Sequence, residues 1–131
     1  MNLVAVDPQT RIDRLLFHPA ALYDHVMHIG IYTCPHCGAQ LQFNTSDFQR
    51  HFSSKQSNLE PEVRRAFDEY RPLNAQVWEC FLDFYCHTCG APVRIIYEPF
   101  EYRMGSYYYK ITSIVEAVSW NHVPAGETSS A

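Results

Sequence analysis

Apolar and polar residues alternate singly over much of this chain, the period-two pattern of half-buried strands. From His25 to Thr33 the segment is rich in β-branched and aromatic residues, with Ile29 and Ile31 on one side. In Ala39 to Phe43, Leu41 and Phe43 alternate with Gln40 and Gln42. Between Gln76 and Tyr85 one face reads Trp78, Cys80, Leu82 and Phe84, against Val77, Glu79, Phe81, Asp83 and Tyr85 on the other. Pro92 to Tyr97 places Val93, Ile95 and Tyr97 together, and a last strand or pair of strands runs from Ser106 to Trp120 with Ile111, Val115 and Ala117 sharing a face.

Helical spacing appears in three places. Asp7-Pro8 has the form of an N-cap followed by proline at the first helical position, and Ile12, Leu15 and Leu16 extend the pattern to about residue 17, before Pro19. Ser46 and Gln49 fit a capping box ahead of the i,i+4 pair Phe48 and Phe52. Pro61 opens a third helix with Val63, Phe67 and Tyr70 on one stripe, closed by Pro72; its Arg64 and Arg65 sit among acids, as on a solvated face. The pattern predicts an α+β domain over residues 1–120, an antiparallel β-sheet interrupted by a helical insertion at about 45–71. The Pro-, Gly-, Ser- and Thr-rich segment 121–131 reads as a disordered tail.

Composition narrows the function classes. Ten Lys and Arg against fourteen Asp and Glu leave a net charge of −4, unsuited to gripping phosphate backbones or anionic lipid. Apolar runs such as Leu3 to Val6 fall far short of the roughly 20 residues of a membrane-spanning helix. The first residues lack the basic and small-residue features of a secretory signal, so a cytoplasmic protein is expected.

In that reducing setting five cysteines point to metal or redox chemistry rather than to disulfides. Four of them form two C-x2-C-G motifs, Cys34-Pro35-His36-Cys37-Gly38 and Cys86-His87-Thr88-Cys89-Gly90, each between two strand-like arms. A C-x2-C turn presents two sulfurs to one side of a tetrahedron, so two turns complete a structural zinc site. Glycine after the second cysteine tolerates the positive φ that such a knuckle requires. We expect one structural Zn²⁺ on Cys34, Cys37, Cys86 and Cys89; iron suits four thiolates as well. Cys80, on the apolar face of its strand, reads as a core residue. His36 and His87 are expected to face water, and His25 and His28 do not share a strand face.

Through the two quoted motifs the chain resembles the zinc-ribbon and rubredoxin-like class, over roughly residues 25–43 and 76–98. The resemblance implies two zinc-knuckle hairpins in a zinc-ribbon-like sheet. Forty-eight residues separate Cys37 from Cys86, against about 15 to 20 in a compact ribbon, so the helices would be inserted between the knuckles. Cys34-Pro35-His36-Cys37 also matches the four letters of the thioredoxin-class thiol oxidants. That chemistry needs a helix starting at the motif, whereas the residues after Gly38 read as a strand.

Four thiolates leave a zinc no open position, and there is no G-x-S-x-G, phosphate loop or H-E-x-x-H, so no enzymatic activity is expected. Aromatic and acidic groups concentrate in residues 98–109, where Glu98, Phe100, Glu101, Tyr102 and Tyr108 mix as they do at protein interfaces; the alternative is that half of the tyrosines cap the core. A small acidic protein of this kind looks like the immunity proteins that bacteria pair with polymorphic or contact-delivered toxins. That resemblance implies a basic toxin domain as partner, and neither nucleic acid nor membrane. The alternative is a zinc ribbon that binds nucleic acid or serves transcription.

Overall fold

A computed structural model of the chain describes residues 1–14, 21–23, 29–48, 57–70 and 80–120. Most of these residues lie in antiparallel strands: β1 (Asn2–Val6), β2 (Ile12–Arg14), β3 (Ala21–Tyr23), β4 (Ile29–Thr33), β5 (Gln40–Asn44), β6 (Cys80–Tyr85), β7 (Pro92–Arg103) and β8 (Ser106–Ser119). Two helices, α1 (Pro8–Arg11) and α2 (Pro61–Glu69), and one 3₁₀ turn at Thr45–Asp47 complete the described elements. The larger sheet has the order β1-β8-β7-β6, with β3 also on β8, and the smaller one the order β2-β4-β5.

The larger sheet is covered on both faces. Val93, Ile95 and Tyr97 of β7 pack with Ile12, Tyr32, Phe43 and Phe48, whereas Ile96 and Val115 pack with Leu59, Val63 and Phe67 around α2. This double burial explains why Ile95, Ile96 and Tyr97 follow one another in β7, since a strand covered on one side alone would alternate. It also corrects the half-buried reading of β6. Cys80 joins the first cluster, while Asp83, on the opposite side of the strand, is itself buried.

Several expectations change for local reasons. The expected helix over 8–17 ends after one turn. Asp7 caps Gln9 N at 2.9 Å, but Ile12 turns extended and its strand pairs with β4. Burial of Ile12 in the core outweighs continuation of a short helix. A capping box lies at Asn44 and Asp47, where Asp47 Oδ2 accepts from Asn44 N and Asn44 Oδ1 from Ser46 N, each at 2.9 Å; Gln49 of the expected box with Ser46 lies outside the described residues. Phe48 then leaves the turn extended and stacks on Tyr97 at 4.2 Å between ring centroids.

Ile111 and Val115 do not share a face. A register shift at Ile96/Tyr97 lets Ile111 join Ile114 in the first cluster while Val115 faces α2. One extra residue in β8 inverts the alternation beyond it. By contrast, α2 begins at Pro61 and buries Val63 and Phe67 as its spacing predicts. Gly30 lies opposite Phe43, whose ring fills the space a side chain would need: an added Cβ would stand 2.4 Å from Cζ. The expected strand residues 25–28 and 76–79, with His25, His28 and Trp78, the helical residues 15–17 and 49–52, and the tail 121–131 lie outside the described residues.

Candidate metal centre

Each cysteine pair sits at the tip of a hairpin, the first between β4 and β5 and the second between β6 and β7. The two tips repeat one set of backbone bonds. Cys34 N donates to Ala39 O at 2.9 Å and Gly38 N to Cys34 O at 2.9 Å. In the second tip Cys86 N donates to Ala91 O at 2.8 Å and Gly90 N to Cys86 O at 2.9 Å. Gly38 and Gly90 take φ of +77° and +80°, the left-handed conformation that favours glycine.

The sulfur atoms of Cys34, Cys37, Cys86 and Cys89 all lie within 4.8 Å of one another. Cys34 Sγ is 3.7 Å from Cys89 Sγ, and Cys37 Sγ is 3.5 Å from Cys86 Sγ. Four sulfurs around zinc at about 2.3 Å stand about 3.8 Å apart in a tetrahedron, whereas a disulfide requires about 2.05 Å. The spacing therefore fits a shared cation and not a disulfide pair.

The four sulfurs also perturb one another electrostatically. Burial pushes the Cys86 thiol up, but the amides of Cys89 and Thr88 and the Cys37 sulfur outweigh it and bring Cys86 down to about 7. Burial pushes Cys89 up, and the other three sulfurs add to it, to about 12; Cys34 is raised as well, chiefly by burial. Four thiolates this close repel one another, and only a cation among them makes all four stable together. Cys80, fully buried in the core, is not one of the four.

The knuckles also bind to the layers behind them. His36 is exposed, as expected, yet its Nε2 donates to Ala117 O at 2.9 Å and its ring lies edge-on to Trp120 at 4.8 Å. Two residues before Cys34, Tyr32 Oη donates to Glu116 Oε2 at 2.5 Å, and Arg11 Nε reaches the same oxygen at 2.8 Å. Burial and this bond push the Tyr32 hydroxyl well above its ordinary range, and the carboxylate raises the Arg11 guanidinium. The smaller sheet and α1 are thereby fixed to β8.

On the opposite face Arg94 grips Asp83 through Nε at 2.8 Å and Nη2 at 3.0 Å. It reaches Asp68 of α2 through Nη1 at 2.8 Å, and its guanidinium lies 3.9 Å from the Phe81 ring centre. Neither cluster is among the residues that the sequence pattern singles out. Their signal was a lone charge inside an apolar strand run: Asp83 in Phe-Leu-Asp-Phe-Tyr, Arg94 in Val-Arg-Ile-Ile and Glu116 in Ile-Val-Glu-Ala-Val. Arg64, as expected for a solvated face, pairs with Asp68 one turn away at 3.4 Å.

The aromatic and acidic residues after Tyr97 form the distal half of the β7–β8 hairpin, closed by Met104 and Gly105 at φ +75°. Phe100 stacks on Tyr108 across the strands at 5.0 Å, and Tyr102 lies 6.1 Å from the same ring. Tyr102 is exposed, Phe100 and Tyr108 are half-buried, and Met104 at the tip is 97% exposed. Glu98 lies opposite Lys110, and the Glu101 carboxylate accepts from Gly105 N at 2.8 Å, so Glu101 also shapes the turn. Tyr109, on the other face, is buried in the core.

Comparison of the chain with protein-family models, curated proteins and solved structures gave no match. Among the described residues no helix is long and apolar enough to cross a membrane.

Proposed function

We propose that the chain is a zinc-stabilised, non-catalytic protein-binding module of zinc-ribbon-like build, with α2 inserted between its knuckles. Cys34, Cys37, Cys86 and Cys89 hold one Zn²⁺, which supplies cross-linking of the two sheets rather than a reactive position. The knuckle repeat and the sulfur spacing support zinc binding.

The observation that carries the binding reading is the aromatic ladder of Phe100, Tyr102 and Tyr108 in the distal half of the β7–β8 hairpin, which among the described residues extends beyond the β6 pairing at Tyr97. Large, stiff rings on a braced arm lose little entropy on docking. The partner is a basic protein domain. The chain carries −4, and a divalent ion among four thiolates contributes a further −2, giving about −6. Likeness to the immunity proteins makes a toxin the partner class. The test is co-expression with any toxin that a neighbouring reading frame encodes, where rescue of growth supports the reading. Phe100→Ala or Tyr102→Ala should each weaken the complex by about 2 kcal/mol, as hot-spot residues do. Failure to rescue, together with a DNA or RNA gel shift that weakens steeply with salt, would replace it by nucleic-acid binding.

A further inference from the structure

The four sulfurs of the metal centre are not equivalent. Cys34 and Cys86 are buried, Cys89 is half-buried and Cys37 is exposed. A solution oxidant therefore meets Cys37 first, since thiolate oxidation follows exposure. The sulfur of Cys86 lies 3.5 Å from that of Cys37. These two residues belong to different hairpins and different sheets.

We infer that Cys37 is a peroxide-oxidation site, and that its oxidation closes a Cys37–Cys86 disulfide across the two sheets while the zinc leaves. The inference rests on the zinc reading above. In the first step the Cys37 thiolate attacks one peroxide oxygen, the O–O bond breaks, and the departing hydroxide takes a proton to form water. In the second the Cys86 thiolate attacks the Cys37 sulfenic sulfur and displaces hydroxide, which also becomes water. Two thiolates supply the two electrons that peroxide accepts. The two remaining thiolates, Cys34 and Cys89, do not retain the ion.

The surroundings favour a bond across the sheets over one within a knuckle. Loss of the metal leaves His36 on Ala117 O, and Tyr32 and Arg11 on Glu116. These bonds keep the two sheets in register while the second step occurs. The disulfide then replaces the ion as the link between the sheets, and the hairpin arm stays folded under oxidising conditions.

The experiment treats zinc-loaded protein with increasing hydrogen peroxide, follows released zinc with a chromophoric chelator, and maps disulfides after non-reducing cleavage at Lys and Arg. Cleavage places Cys34 and Cys37 on residues 15–50 and Cys80, Cys86 and Cys89 on residues 66–94, because Arg71 precedes Pro72. The expected result is one zinc released for each two thiols lost, with the two peptides joined through Cys37 and Cys86. Cys80→Ala should give the same map. Separate peptides with disulfides inside each knuckle, or a first bond between Cys34 and Cys89, would overturn the inference and leave the zinc reading standing. Protein that holds no zinc before peroxide is added would overturn both.

Discussion

Replacing Arg94 by methionine removes the charge at the junction of β6, β7 and α2 while keeping most of the side-chain volume. Arg94 is buried, and its fork satisfies both oxygens of Asp83, which is 2% exposed. Without it Asp83 keeps a hydroxyl donor, Ser57 Oγ, but no opposing charge. Breaking a buried pair from one side costs about 3–5 kcal/mol, a large share of the roughly 5–15 kcal/mol that holds a domain folded. Asp68, the third member, is 46% exposed, so Asp68→Ala should cost no more than about 1 kcal/mol. Removing both buried charges, Arg94→Met with Asp83→Leu, should recover much of the loss, because the desolvated carboxylate is then gone. Urea unfolding of the zinc-loaded proteins by circular dichroism measures all three, provided the denaturant slope stays constant. An Arg94→Met cost below about 1 kcal/mol, or a double variant weaker than Arg94→Met alone, would refute the reasoning.

Gly30→Ala should destabilise by about 1–3 kcal/mol, because the new methyl meets the Phe43 ring at 2.4 Å; thermal unfolding checks it. Tyr32→Phe leaves the buried Glu116 with one donor fewer and should cost about 1–3 kcal/mol in the same measurement. Zinc affinity should fall as pH falls, since protons compete with the ion for the four thiolates, and a competition titration against a chelator across pH reads this directly. Glu101→Gln keeps an acceptor for Gly105 N but removes a charge, so it should slow association with a basic partner at low salt and leave folding unchanged.

The knuckles are legible in the sequence because their chemistry is local: two cysteines, a glycine and the flanking alternation lie within ten residues of each other. Helix α2 is legible for the same reason, with proline, acids and one apolar stripe in a single segment. Strand β1 is not. Leu3 to Val6 carries no turn signal toward its partner, and its pairing with residues 114–119 of β8 closes a loop over most of the chain. The register shift opposite Ile96 and Tyr97 is equally silent, since an extra residue in a strand becomes visible only against its neighbour. The covered outer face of β6 was written in Asp83 and Arg94, whose opposite charges fall on directly paired positions. Pairing them requires knowing the register, which the sequence does not state.

The claim that two hairpins from separate sheets are joined by one zinc on Cys34, Cys37, Cys86 and Cys89 is tested most directly by metal content. Elemental analysis of the purified chain should return one zinc per molecule, and Cys89→Ser should lose it and unfold the hairpin region. Structural zinc contributes on the order of 10–16 kcal/mol in small domains, more than the remaining contacts are expected to replace. Metal-free protein that is folded as firmly before a chelator as after it, and whose exposed Cys37 thiol reacts freely, would contradict the claim.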